Sequence, residues 1–296
     1  MVSPSDLQGK RVLVTGATGF TGRYLVDRLT SAGCTVLPLA VDGAPVDLCD
    51  RLALGEALKQ LRPHFVVHLA AISFVAHGDV DEIYRVNIVG TRNLLEGLQA
   101  LPVPPEHVLL ASSANVYGNV GGVLAETAPL SPQNDYAVSK MAMEAMAEVW
   151  TGRLPITMVR PFNYTGVGQS VRFLIPKIVS HFQRRESVIE LGNTDVSRDF
   201  YDVRNVVELY ARLLTVPATG EIYNVCSGTE WSLHGVIETL RQISGHDIEA
   251  RVNPAFVRDN EVRSLRGSND KILSRVGPMP SFDFASTLAW MYGNPL

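Results

Sequence analysis

Residues 11–22 read Arg-Val-Leu-Val-Thr-Gly16-Ala-Thr-Gly19-Phe-Thr-Gly22: five strand-forming residues, a turn carrying three glycines, and the opening of an amphipathic helix. Glycines at such a turn let the chain reverse tightly and let backbone approach a pyrophosphate seated on the positive N-terminal end of the helix. The spacing is GxxGxxG rather than GxGxxG. Alone, it would fit a glycine-rich turn in any α/β protein; its place between a strand and a helix favours a dinucleotide.

Outward from this turn, short apolar runs alternate with helical patterns. The predicted strands are Arg11–Thr15, Thr35–Leu39, Phe65–Leu69, Val108–Ser112 and Ile156–Arg160. The predicted helices are Gly22–Ser31, Arg51–Leu61, Glu82–Ala100 and Tyr136–Thr151. Continuous apolar runs indicate strands covered on both faces, so the alternation predicts an α/β fold with a doubly wound parallel sheet. Its ligand crevice would lie at the carboxyl ends of the strands. After residue 165 a helix over Asn205–Leu214 and a strand over Glu221–Val225 could return to that sheet. The stretch beyond Ser227 reads as small mixed elements broken by Pro254, Pro278 and Pro280. The expected domains are residues 1–165 with about 196–226 for the dinucleotide, and about 166–195 with 227–296 as a smaller, discontinuous α/β substrate domain.

Composition narrows the function classes. The chain has 296 residues, 26 Lys plus Arg against 30 Asp plus Glu, and a net charge of −4. This gives no electrostatic reason for a nucleic-acid or anionic-membrane partner. Cys34, Cys49 and Cys226 are scattered and odd in number, which suits a reducing compartment and no disulfide framework. The polar N-terminus lacks the apolar segment of a signal peptide, and no apolar run approaches a membrane span, so a cytoplasmic location is expected. His64, His68 and His77 have no second ligand at metal-binding spacing, so no metal site is expected.

Two further segments carry chemistry. Tyr136-Ala-Val-Ser-Lys140 puts a phenol and an ammonium on one helix face. At ~6 Å and an effective dielectric of about 20, the ammonium would favour the phenolate by on the order of 3 kcal/mol, or roughly two pKa units. That describes a general acid delivering a proton to an oxyanion as hydride reaches carbon. Leu110-Ala-Ser-Ser113-Ala-Asn-Val-Tyr-Gly118 ends the fourth strand, where the Ser113 hydroxyl can hold a carbonyl oxygen beside Tyr136. The tip of the second strand, where the adenosine ribose is read, offers no basic residue. Asp42 is either the ribose ligand or a loop residue, and Asp47-Leu48 lies at the adenine or marks a helix start.

Together these segments resemble the extended short-chain dehydrogenase/reductase family over essentially the whole chain. The motifs are GATGFTG, His68-Leu-Ala-Ala71, Asn87 in RVNIVGTRNLL, SSANVYG, YAVSK and Arg160-Pro-Phe-Asn163. The resemblance implies Ser113, Tyr136 and Lys140 as the catalytic set and NAD(P)H as cofactor, with NADH against NADPH open. Cofactor contacts are expected at Gly16, Thr18, Gly19, Phe20, Gly22, Asp42, Asp47, Leu48, Leu69, Ala70, Ala71, Tyr136, Lys140 and Pro161. A homodimer is also implied.

Ala114 and Asn115 stand where the family's 4,6-dehydratases carry acids, and Asn115 also where its 3,5-epimerase/reductases carry cysteine. Plain carbonyl reduction or alcohol oxidation therefore remains. The C-terminal half is similar to the family's GDP-4-keto-6-deoxy-D-mannose reductases in RPFNYTGVGQ (160–169), ELGNTDVSRDFYDV (190–203) and NEVRSLRGS (260–268). That likeness implies a GDP-linked deoxysugar substrate touching Ser113, Asn115, Asn163, Gln169, Asn193, Arg198, Arg258 and Glu261. The product would be GDP-D-rhamnose or GDP-6-deoxy-D-talose. The alternatives are a 4-epimerase or dehydrogenase of another nucleotide sugar, and a non-catalytic NAD(P)-binding sensor.

Overall fold

The computed structural model describes residues 7–73, 79–257 and 262–294. Its centre is a six-stranded, all-parallel sheet. In spatial order the strands are Ile222–Val225, Ile156–Pro161, His107–Ala111, Phe65–His68, Arg11–Thr15 and Thr35–Pro38. The first strand in sequence is flanked by the second and the third, so the chain changes direction there and a crevice opens above its carboxyl end. Thr15 pairs with His68, His68 with Leu110, and Ala111 with Val159. That register brings the loops after three strands to one edge of the sheet.

Both sheet faces are apolar because neighbouring side chains in a strand point opposite ways. Val12, Val14, Phe65, Val67 and Leu109 pack against Leu25 and Leu29 of the helix Phe20–Ser31 and against the helix Val203–Leu213. Leu13, Val66, Val108 and Leu110 face the other core, with Leu54, Leu58, Leu94, Leu98 and Ala147 from the helices Arg51–Leu61, Thr91–Gln99 and Asp135–Glu148. Each such leucine, fully covered, contributes about 1.5–3 kcal/mol. A separate core joins Ile175, Val179 and Phe182 to Phe200, Leu233, Val236, Ile237, Leu240, Leu288 and Met291.

Several boundaries differ from the sequence expectation. The second strand stops at Pro38, and Asp42 lies beyond it in a miniature hairpin pairing Ala40 with Pro45 and Val41 with Ala44. Asp42 and Gly43 have φ of 50° and 81°, the left-handed pair of a tight hairpin turn. The run expected as the helix Glu82–Ala100 begins at Val80 and contains a wider π-helical turn, Arg85–Gly90. The stretch beyond Ser227 holds two full helices, Leu233–Ser244 and Phe284–Gly293, which the small-element reading missed. The intervening helix Asp270–Val276 sends Ile272 and Val276 into the core of the parallel sheet, so 227–296 is divided between two cores.

Several contacts join these cores. Arg204 pairs with Asp202 and lies between the rings of Phe282 and Trp290, 3.6 and 3.9 Å from their centroids. The helix after the glycine turn is fastened to the segment 164–168. Thr21 Oγ1 and the Tyr164 hydroxyl are 2.7 Å apart, Tyr24 donates to the Val167 carbonyl at 2.7 Å, and Phe20 stacks on Tyr164.

Candidate active site

The glycine turn is shaped by exclusion. Gly16 has φ of 71°, and a Cβ there would lie 2.9 Å from the Ala70 nitrogen. At Gly22 a Cβ would lie 2.1 Å from the Gly16 carbonyl oxygen. Gly19 is the N-cap of the twelve-residue helix Phe20–Ser31, and no side chain caps that end. Its first N–H groups, with the helix dipole behind them, are suited to an anion such as a pyrophosphate. Thr18 is exposed on the turn, and Phe20 follows the cap. The opposite wall is built by Leu69, Ala70 and Ala71. Thr15 Oγ1 accepts from the Ala70 N–H at 3.2 Å, while the Leu69 N–H donates to the Thr15 carbonyl. These residues fit a dinucleotide.

Ser113, Tyr136 and Lys140 come together at the same edge. Ser113 follows the strand His107–Ala111 and caps a short 3₁₀ turn, its Oγ accepting from Asn115 N at 3.2 Å. Tyr136 and Lys140 are one turn apart on the helix Asp135–Glu148, whose start is capped by Asn134 accepting from Ala137 N. All three are buried. The Ser113 hydroxyl lies near enough to the Tyr136 phenol to favour its ionised form. Lys140 Nζ donates to the Ala111 carbonyl oxygen at 2.8 Å.

The electrostatics differ from the expectation drawn from spacing. Burial pushes the Tyr136 phenol up to about 12, and the nearby Ser113 hydroxyl offsets only part of that. Burial likewise pulls the Lys140 ammonium down to about 8, against the opposing pull of Glu144. The expected net lowering of the phenol does not appear, because desolvation dominates both groups and the ammonium is turned to a backbone carbonyl. At neutral pH the phenol keeps its proton and most of the ammonium population stays charged.

The other sequence-predicted residues scatter in role. Asp42 sits in the hairpin turn. Asp47 Oδ1 accepts from Cys49 N, and Asp50 caps the helix that follows; Leu48 is buried, its carbonyl bonded by Asn93. Pro161 closes its strand, and Asn163 opens the exposed start of Asn163–Thr165. Asn115 is exposed beside Ser113. Gln169 is turned inward: its Oε1 accepts from Thr165 Oγ1 at 2.7 Å and its Nε2 donates to the Tyr164 carbonyl at 3.1 Å, so it braces the loop. Asn193 and Arg198 are partly exposed, and Arg198 Nη1 donates to the Ser197 carbonyl at 2.8 Å. Arg258, Glu261 and His77 lie outside the described residues.

The remaining histidines hold structure. His68 bridges Thr15 Oγ1 and Thr91 Oγ1 at 2.7 and 2.8 Å, and burial pulls its pKa down to about 3, leaving it neutral. His64 Nδ1 accepts from Arg11 N at the far end of the sheet. Among the described residues no group of His, Cys, Asp and Glu could hold a metal ion, and no helix is long and apolar enough to cross a membrane.

Sequence reasoning singled out Asn87 within a family motif and passed over Glu144. Asn87, in the π-helical turn, accepts from Ile72 N and donates to the Ile72 carbonyl and Ser139 Oγ. Glu144 stands four residues after Lys140, a spacing that already placed it on the same helix face.

A glycine turn shaped for a dinucleotide and a Ser–Tyr–Lys set at one sheet edge together mark a class of nucleotide-cofactor enzyme. The pattern that defines the NAD dependent epimerase/dehydratase family matches residues 12–226, and the chain belongs to that family. It is 35% identical over 288 residues to a GDP-6-deoxy-D-talose 4-dehydrogenase of Aggregatibacter actinomycetemcomitans, covering 97% of this chain and 98% of the relative. It is 34% identical to a GDP-6-deoxy-D-mannose reductase of Pseudomonas aeruginosa, covering 94% and 95%. The solved structure of RMD from Pseudomonas aeruginosa complexed with NADPH superposes with a TM-score of 0.87 at 33% identity, covering 96% of this chain and 97% of that one.

Proposed function

We propose that this chain is an NAD(P)H-dependent reductase of a GDP-linked sugar, acting on the C4 ketone of GDP-4-keto-6-deoxy-D-mannose. The observation that carries the reading is the gathering of Ser113 with the buried Tyr136 and Lys140, one helical turn apart, at the sheet edge that holds the glycine turn. The two curated relatives are named for 6-deoxy GDP-sugars that differ at C4. Their shared part supports the substrate class, and their difference makes the product either GDP-D-rhamnose or GDP-6-deoxy-D-talose.

When bound, the reduced nicotinamide supplies a hydride to C4. Ser113 and Tyr136 both donate to the C4 oxygen, drawing electron density toward it and holding the carbonyl in line. As the C=O pair moves onto oxygen, Tyr136 transfers its phenolic proton there, which completes the alcohol. Lys140 stabilises the phenolate left on Tyr136 until solvent restores its proton. We assign the glycine turn and the 69–71 wall to the dinucleotide, and the loops near Asn163, Asn193 and Arg198 to the GDP-sugar.

The test is incubation with the 4-keto sugar nucleotide and NADH or NADPH, followed by nicotinamide absorbance and by NMR of the product. Cofactor oxidation with a single C4 product is expected. Tyr136→Phe should lower kcat by about 10²–10⁴-fold, the usual range for a lost general acid. No turnover by the wild-type protein, or full turnover by Tyr136→Phe, overturns the reading.

A further inference from the structure

Behind Lys140 lies a buried polar network that the proposed reaction does not use. Arg160, at the end of the strand Ile156–Pro161, grips Glu144 with both prongs: Nε to Oε1 at 2.9 Å and Nη2 to Oε2 at 2.6 Å. The two side chains are 4% and 5% exposed, so this is a fully desolvated pair. The free Nη1 of Arg160 donates to the Tyr117 hydroxyl at 2.9 Å and to the Glu126 carbonyl at 3.1 Å. Tyr117 in turn donates to Asn224 Oδ1 at 2.7 Å. Tyr117 closes the 3₁₀ turn that Ser113 opens, and Glu144 is one turn beyond Lys140. One guanidinium thus ties the segment holding Ser113 to the helix holding Tyr136 and Lys140.

We infer that Glu144 and Arg160 are positioning residues for the proposed reduction, the carboxylate holding positive charge on Lys140 and the guanidinium limiting how strongly it does so. Neither is placed to touch substrate; both act through Lys140 and Ser113. The groups facing Lys140 leave this pair in control. Tyr136, on its own helix, is protonated. His68, from the adjacent strand, is neutral and lies within the field of Lys140. The Ala111 carbonyl contributes a dipole. Among the described residues, Glu144 is the anionic side chain that acts on Lys140, opposing the effect of burial.

The two partners therefore have opposite signatures. Glu144→Gln removes the anion and should lower the Lys140 titration midpoint, by about one pH unit for a charge one helical turn away and partly neutralised. Arg160→Gln leaves the anion unneutralised and should raise it. General damage to the fold would not give opposite signs. The chain has five lysines, so titration of ¹³Cε-lysine-labelled protein by NMR resolves each one, with the Lys140 signal assigned by its loss in Lys140→Met. Removing one member of a buried pair can prevent folding. The double variant Glu144→Gln/Arg160→Gln removes both charges of this pair together, and its midpoint should also fall below that of the wild type. An unchanged midpoint in folded variants overturns the inference. This inference rests on the proposed reductase reading, but the NMR titration needs neither substrate nor turnover. An inactive wild-type protein would therefore count against that reading alone, and a fixed midpoint in variants of an active enzyme against this one alone.

Discussion

Tyr136 holds its proton because its surroundings are dry, and Lys140 holds its charge only up to about pH 8 for the same reason. Reduction needs the phenol protonated and the ammonium charged. Below about 8 both conditions are met, so kcat/KM should be level there. Above it Lys140 loses its proton while Tyr136, at about 12, keeps its own, so kcat/KM should fall toward tenfold per pH unit. A pH–rate profile of reduction under limiting substrate checks this, and an alkaline limb starting near 10 would contradict it. The identity and spacing of Ser113, Tyr136 and Lys140 were legible in the sequence, since i, i+4 spacing and a strand end are local properties. The direction of the phenol's shift was not. A pairwise Coulomb estimate at an assumed distance omits desolvation, which depends on everything packed around the pair.

At the scale of the element, the helical run Val80–Gln99 shows how a local irregularity serves the site. Its π-helical turn carries Asn87 to the Ile72 backbone and to Ser139, which lies between Tyr136 and Lys140 on the neighbouring helix. Asn87→Ala strands the N–H and carbonyl of Ile72 in a partly buried place. It should cost about 2 kcal/mol, visible as a lower urea midpoint with an unchanged slope, and should weaken cofactor binding through the 69–72 wall. An unchanged midpoint would show that the π-helical turn holds without it. Periodicity announced a helix here but gave no sign of the wider turn, because one extra residue per turn barely disturbs an apolar stripe. The Asp42-Gly43 pair is the converse case: a standard hairpin signal at a residue that the sequence left open between ribose ligand and loop.

Across the whole molecule, Asp199 is the joint. Its Oδ1 accepts from Ser227 N and Oγ at 2.9 and 2.6 Å, and its Oδ2 from Gly228 N and Gly267 N at 3.0 and 3.3 Å. It is completely buried on the strand Ser197–Asp202, whose Phe200 and Tyr201 enter different cores. Asp199→Ala leaves four donors without their acceptor and should cost about 3 kcal/mol or more. The expected readout is a Tm lowered by several degrees, and a wild-type Tm would remove Asp199 from this role. The doubly wound sheet could be read from the sequence because each βα unit is contiguous. A second, discontinuous domain could also be read, but not its full helices or the core they form, since that core assembles from segments more than 100 residues apart, although Leu233, Val236, Ile237 and Leu240 already spell one helix face.

The fastening of Thr21 and Tyr24 to Tyr164 and Val167 has a practical corollary. Transplanting residues 163–169 from a relative, in order to retarget the sugar, would also exchange the surface on which the pyrophosphate-facing helix rests. Such chimaeras need Thr21 and Tyr24 exchanged in concert with the graft, because the loop proposed for the sugar and the helix behind the glycine turn share these two anchor points.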